Sequence, residues 1–119
     1  MLTREEFKKN PELVFDKAYG SLSGLAIGDS FGDASRKQEN RENYAITTDF
    51  NSKASWSTDD TEFALLTAKT LIRCGGELTS EEVVKSWLED VAIQDEFKRG
   101  GASEIEAANN LRRGFLPPL

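Results

Sequence analysis

Apolar residues recur at three- and four-residue steps along most of the chain, a pattern that predicts helices. Thr3 and Glu6 have the spacing of a capping box, which predicts a short helix at the start of the chain. Asn10 and Pro11 suit the cap and first position of a second helix, which we expect to end near Asp29–Gly32. Its apolar positions are Leu13, Val14, Ala18, Leu22, Leu25, Ala26 and Ile27.

The stretch from Asp33 to Trp56 breaks this pattern. It is rich in Asn, Ser, Thr, Asp, Lys and Arg and has no helical apolar stripe. We predict a long polar loop here, with one short extended stretch at Tyr44–Ile46. Loops longer than about 12–15 residues are uncommon in compact domains and are often functional.

Three further helices follow, each bounded by a recognisable start or stop signal. A hydroxyl followed three residues later by Glu predicts a capped start, and glycine predicts an end. The third helix is expected to start near Thr58 and to end at Gly75–Gly76. The fourth starts at the pair Thr79 and Glu82 and reaches about Ala92. The fifth starts at the pair Ser103 and Glu106 and ends at Gly114. The predicted fold class is therefore all-α, with about five helices and one long polar loop in a single domain over residues 1–119.

Composition excludes several kinds of chemistry. The chain has no His, so a His base and a His-ligated metal are excluded, and its single Cys excludes an internal disulfide or a thiolate zinc site. With 15 basic and 21 acidic residues the formal net charge is −6, which argues against nucleic acid and anionic membranes as partners. The charged N-terminal segment has no apolar signal core and no apolar run is long enough to span a bilayer, so we expect a cytoplasmic protein.

Glycine recurs at every fourth residue of the second predicted helix. Gly20, Gly24, Gly28 and Gly32 lie on one helix face, where the missing side chains let a second backbone or a ligand approach closely. Tight helix packing is the simpler interpretation for the first two glycines. Asp29 lies between Gly28 and Gly32, next to the polar loop. Here two interpretations are equally open: tight helix packing, or the edge of a ligand-binding site.

Acids and hydroxyls cluster where the third helix is expected to begin, in the sequence Trp-Ser-Thr-Asp-Asp-Thr-Glu. One or two of them suffice to cap the helix and complement its dipole. Asp59 and Asp60 are adjacent and repel each other, and a divalent cation bound to both carboxylates and to the Thr58 oxygen would offset this repulsion. A metal site and a plain helix cap are both compatible with this pattern.

A second pair of glycines lies before the last helix. Gly100, Gly101, Ala102 and Ser103 would present free backbone N–H groups at a helix start, an arrangement that suits a phosphate. A plain turn between two helices explains the same residues.

Together these segments resemble the ADP-ribosylglycohydrolases, relatives of the dinitrogenase-reductase-activating glycohydrolase. The segment Gly20–Gly32 resembles the family's N-terminal glycine–aspartate helix, Ser57–Thr61 its first metal motif, and the segment from Gly100 its glycine loop at the ADP-ribose. The resemblance covers the chain from Ala18 onward.

The resemblance implies a helical domain with a magnesium pair that cleaves ADP-ribose from a modified protein side chain or a related small molecule. By this resemblance, the metal ligands would be Thr58, Asp59 and Asp60. The catalytic residues would be Asp60 and Asp95. The substrate would be bound by Asp29, Gly100, Gly101, Ala102 and Ser103. A carboxylate can transfer protons without any His, which suits this composition.

The chain also departs from the family pattern. Many members carry a Glu shortly after the glycine–aspartate motif, whereas this sequence has Arg36 near that place. The family's other metal ligands lie in a second Asp-rich motif, in a domain more than twice as long, so we expect an inactive N-terminal half. The alternative is a non-catalytic helical or ADP-ribose-binding module that self-associates through exposed apolar faces.

Overall fold

The computed structural model describes residues 3–36, 57–94 and 100–117. These residues form five helices and no strand, which confirms the all-α prediction. The helices are α1 (Arg4–Lys8), α2 (Pro11–Arg36), α3 (Asp59–Arg73), α4 (Ser80–Asp90) and α5 (Ala102–Arg112). The chain divides into two compact units, Met1–Thr61 and Glu62–Leu119. None of the helices in these described ranges is long and apolar enough to cross a membrane.

The first unit begins with the predicted caps. The Thr3 hydroxyl accepts the N–H of Glu6 at 3.2 Å, and the Glu6 carboxylate accepts the N–H of Thr3 at 2.8 Å, so the capping box is formed. The Asn10 side chain accepts the N–H of Leu13 at 3.1 Å and caps α2. Local hydrogen bonds within three residues therefore start both helices, as the sequence indicates.

Helix α2 continues four residues beyond its predicted end, to Arg36. The prediction of a loop from Asp33 was therefore wrong at its beginning. An ion pair at 2.8 Å joins Asp33 to Arg36, three residues apart on the same face, and supports the last turn. The remainder of the predicted loop and the extended stretch Tyr44–Ile46 lie outside the described residues.

The glycine stripe of α2 faces open space among the described residues. A Cβ atom added at Gly20, Gly24, Gly28 or Gly32 would meet no other heavy atom within 4 Å. The expected tight helix packing at the first two of these glycines is therefore wrong for the part of the chain that the structure describes. The large apolar side chains Phe15, Tyr19 and Ile27 on the same helix are also mostly exposed.

A small apolar core forms in the second unit. Val91 and Ala108 are its buried centre, and Phe63, Leu66, Trp87 and Ile105 pack against them. The rings of Phe63 and Trp87 stack with centroids 5.0 Å apart. Side chains at helical spacing on α3, α4 and α5 thus converge as the apolar pattern predicts.

A polar network joins α3 to α4 beside this core. The buried hydroxyls of Thr70 and Ser86 lie 2.5 Å apart, and Arg73 donates to Ser86 at 2.9 Å. The same guanidinium forms ion pairs with Glu82 at 3.0 Å and Glu89 at 2.7 Å. Each buried hydroxyl has a partner, so burying them costs little stability.

Glycine ends two helices as predicted. Gly75, Gly76 and Gly114 all have positive φ angles, a conformation that residues with a Cβ rarely adopt. The start of the last helix differs from the prediction, because Ala102 is its first residue and Gly101 is its cap. Ser103 therefore lies inside the helix, and the predicted capping box with Glu106 was wrong.

Replacing Gly24 by Ala should stabilise the protein. Among the residues that the structure describes, the added methyl group meets no heavy atom within 4 Å, and Ala exceeds Gly in helix propensity by about 1 kcal/mol. We expect urea unfolding to give a free energy of unfolding higher by about 0.5–1 kcal/mol. The matched control is Gly76→Ala, which should destabilise the protein because φ is 90° at that position. A loss of stability in Gly24→Ala would show that the stripe needs close approach.

Candidate functional site

The candidate site is built around the carboxylate of Asp29, which accepts four hydrogen bonds from the start of α3. The Thr58 hydroxyl donates to Oδ1 at 2.6 Å, and the Thr58 backbone N–H donates to Oδ2 at 2.7 Å. The Thr61 hydroxyl and backbone N–H donate to Oδ2 at 2.6 and 3.2 Å. We call this arrangement the Asp29 clamp, and it fixes the first turn of α3 against α2.

The clamp has a clear physical cause. The first N–H groups of a helix have no partner within the helix, and a carboxylate favours the positive end of the helix dipole. The hydroxyl of the buried Thr61, only 7% exposed, also needs an acceptor. Asp29 supplies both functions from another helix, 29 and 32 residues away in the chain.

These contacts keep Asp29 ionised. Desolvation alone raises the pKa of its carboxyl, but the hydrogen bonds from Thr58 and Thr61 together outweigh this effect. They lower the pKa from 3.8 to about 2. The carboxylate is therefore a pure acceptor at neutral pH, and all four donors keep their hydrogens directed at it.

Asp59 and Asp60 follow directly as the first two residues of α3. Asp59 is half-buried and Asp60 is exposed. Arg36 interacts with both charges. Its hydrogen bond and ion pair with Asp33 raise the pKa of the guanidinium, and the negative charges of Asp59 and Asp60 raise that pKa further. A positive charge thus partly balances this acidic pair.

The second predicted site segment belongs to the other compact unit and is described by itself. Gly101 caps α5, with no side-chain hydrogen bond at the cap. A Cβ at Gly101 would lie 2.7 Å from Oε2 of Glu104, so the Glu104 carboxylate lies over this helix start. A phosphate in the same place would have to displace that carboxylate because the two negative charges repel.

The structure thus brings Asp29, Thr58, Asp59 and Asp60 together in the first unit. It places Gly100, Gly101, Ala102 and Ser103 at the start of α5 in the second, and Asp95 lies outside the described residues. The assigned roles of all these residues stay predictions. The sequence analysis included Thr61 in the Ser57–Thr61 motif but assigned it no role, because its two bonds to Asp29 join residues 32 positions apart and leave no local signal in the sequence.

The comparison with known protein families found a match. The sequence profile of the family described as ADP-ribosylglycohydrolase matches residues 10–119. The chain therefore belongs to the ADP-ribosylglycohydrolase family, a family of hydrolases, which confirms the resemblance seen in the sequence. No curated protein and no solved structure matches the chain.

The clamp makes stability depend on pH in acid. Asp29 has a lower pKa in the folded than in the unfolded state, so its contribution is complete above about pH 5 and is lost as pH falls through 3.8 toward 2. Asp29→Asn should lower the free energy of unfolding by about 1.5–3 kcal/mol at neutral pH, the worth of hydrogen bonds to a charged group.

The difference between the wild type and Asp29→Asn should shrink as pH falls through that window, measured by urea unfolding at a series of pH values. Comparing the two proteins cancels the contribution of Glu6, whose pKa is also lowered by hydrogen bonds from Thr3. A difference that stays constant down to pH 2 would contradict the clamp.

Proposed function

We propose that the chain is part of a magnesium-dependent hydrolase that removes ADP-ribose from modified protein side chains or from a related small molecule. Family membership supports the hydrolase class. The observation that carries the proposal is the Thr58–Asp60 segment, three consecutive oxygen-bearing side chains at a helix start that the Asp29 clamp fixes. We infer that this segment is the metal site and that magnesium is its cation.

The chemistry of the donor set fits magnesium. Thr58, Asp59 and Asp60 offer hydroxyl and carboxylate oxygens, the ligands that this cation prefers. Within the described residues, no group of three or more His, Cys, Asp or Glu side chains could hold a metal ion, and we propose that the Thr58 hydroxyl adds a third protein oxygen to the two carboxylates. Bound magnesium supplies a polarising charge and lowers the pKa of a coordinated water.

The protein's own residues would share the remaining tasks. Asp29 holds the helix start in place through its four hydrogen bonds. The exposed carboxylate of Asp60 can reach a ligand, and we assign it, with Asp95, to accept the proton of the attacking water. Water then adds to the anomeric carbon of the ribose as the bond to the side chain breaks. The proton taken from the water passes to the departing side-chain atom, so the products are free ADP-ribose and the unmodified side chain.

We further propose that Gly100, Gly101, Ala102 and Ser103 bind the ADP-ribose. The N–H groups at the start of α5 are the donors a diphosphate would use. Glu104 would have to turn away, which its flexible side chain can do without moving the backbone. Family membership is the main support for this assignment.

Magnesium should stabilise the protein through Asp59 and Asp60. A ligand that binds only the folded state at about ten times its dissociation constant adds ~1.4 kcal/mol. We expect the melting temperature of the wild type to rise with millimolar Mg²⁺, and the rise to vanish when both residues are replaced by Asn. Asp16→Asn is the matched control, because Asp16 is exposed on the same unit at α2 and should leave the rise intact.

Arg36→Gln should shift cation binding in the opposite direction. Removing its positive charge takes away a repulsion toward the cation, so Mg²⁺ affinity should increase about twofold to fourfold in low salt. If Mg²⁺ leaves the melting temperature of all these proteins unchanged, the proposed magnesium site is wrong. The hydrolase activity is tested separately, by the release of free ADP-ribose from ADP-ribosylated peptides with Mg²⁺ and with a chelator.

A second candidate function rests on the exposed apolar side chains. Ile72 is 83% exposed, Ile93 72% and Phe15 71%, and exposed apolar side chains are available for contacts between copies of a chain. We propose self-association of the chain as the alternative to catalysis. Light scattering distinguishes the two, because an oligomer that is unaffected by Mg²⁺ and ADP-ribose would favour the interaction module.

A further inference from the structure

We propose that Asp29 is a positioning residue that makes the Thr58 hydroxyl a cation ligand by accepting its hydrogen. This inference rests on the magnesium site proposed above and deepens it. It replaces the expectation that Asp29 contacts substrate with a role through another residue.

The hydrogen bonds of Thr58 define which part of its hydroxyl is free. A hydroxyl has one hydrogen and two lone pairs, and a cation binds the lone pairs only when the hydrogen points elsewhere. Here the hydrogen is directed at Oδ1 of Asp29, 2.6 Å away. The backbone N–H of Thr58 is held by Oδ2 at 2.7 Å, so both the backbone and the side chain of Thr58 are fixed.

Two other helices of the same chain show what Thr58 does differently. At the starts of α1 and α4, the hydroxyls of Thr3 and Thr79 accept the N–H three residues on, at 3.2 and 3.3 Å. At the start of α3 the corresponding N–H, that of Thr61, goes to Asp29 at 3.2 Å. Asp29 therefore takes over the capping task, and the Thr58 oxygen is released from it.

Only a carboxylate can both accept the hydrogen of the Thr58 hydroxyl and accept the N–H groups at the start of α3. An Asn at residue 29 would keep one acceptor oxygen, but its amide NH₂ cannot accept the second set of hydrogens. The Thr58 hydroxyl would then lose its fixed direction. Partners that orient metal ligands typically change metal affinity by about 10–100-fold when they are removed.

The test measures cation binding to the complete 119-residue chain, labelled with ¹⁵N. Mn²⁺ serves as the probe, since it takes the same oxygen ligands as Mg²⁺ and broadens the amide signals of nearby residues. We expect broadening at Asp59 and Asp60 that Mg²⁺ reverses. Asp29→Asn should weaken the Mn²⁺ affinity about 10-fold to 100-fold.

The matched control is Thr61→Val. This variant removes one hydrogen bond to Asp29 and leaves both bonds from Thr58 in place. It should lower the melting temperature, yet keep the Mn²⁺ affinity within about threefold, a limit well below the effect of losing an orienting partner. Equal losses of affinity in the two variants would overturn the inference, because general loosening of the helix start would then explain both.

A second measurement on the wild type decides the matter if Asp29→Asn does not fold. The Thr58 hydroxyl proton, protected by its short bond to Asp29, should give a resolved signal that shifts when Mg²⁺ is added. The Thr61 hydroxyl proton should not shift. An unmoved Thr58 signal at saturating Mg²⁺ overturns the inference.

The inference and the proposed function fail in different ways. If the wild type binds Mn²⁺ and Asp29→Asn binds it equally well, Asp29 is only a helix cap and the magnesium site stands. If the amide signals of Asp59 and Asp60 in the wild type are not broadened at any Mn²⁺ concentration, the proposed magnesium site is wrong, and so is the role proposed for Asp29.

Discussion

One ionised carboxylate organises the candidate site. Asp29 satisfies the N–H groups and hydroxyls of Thr58 and Thr61, which would otherwise lack partners where the helix begins. The acidic pair that follows takes its position from this contact. Because like charges at residues 59 and 60 repel, a weakly held helix start would let them separate, whereas the clamp keeps them on adjacent positions of a regular turn.

The two compact units solve the problem of a small core in different ways. In the second unit, stacked rings and apolar side chains surround Val91 and Ala108, and a network centred on Arg73 connects α3 with α4. In the first unit, the buried residues are small or polar, such as Ser30 and Ala34, and specific hydrogen bonds carry more of the order. A site that depends on the direction of hydrogen bonds rather than on apolar contacts suits the first unit.

Features determined by neighbouring residues could be predicted from the sequence. The caps at Thr3 and Asn10 and the glycine ends of two helices depend on residues within a few positions, and all are formed. The end of α2 was predicted four residues too early and the cap of α5 two residues too late, because weak local signals compete at both boundaries. The cluster of hydroxyls and acids at residues 58–61 was visible in the sequence, but its bond to Asp29 was not, since periodicity carries no information on contacts across 29 residues.

The separation between Asp29 and Thr58 has an evolutionary consequence. Their contact joins two residues that are 29 positions apart, and the entropy cost of bringing two chain positions together rises only with the logarithm of their separation, about 0.6 kcal/mol for each doubling. A different number of residues between Asp29 and Thr58 would therefore change that cost only slightly. On entropic grounds, the same junction between two helices is therefore compatible with chains that carry more or fewer residues between its two halves.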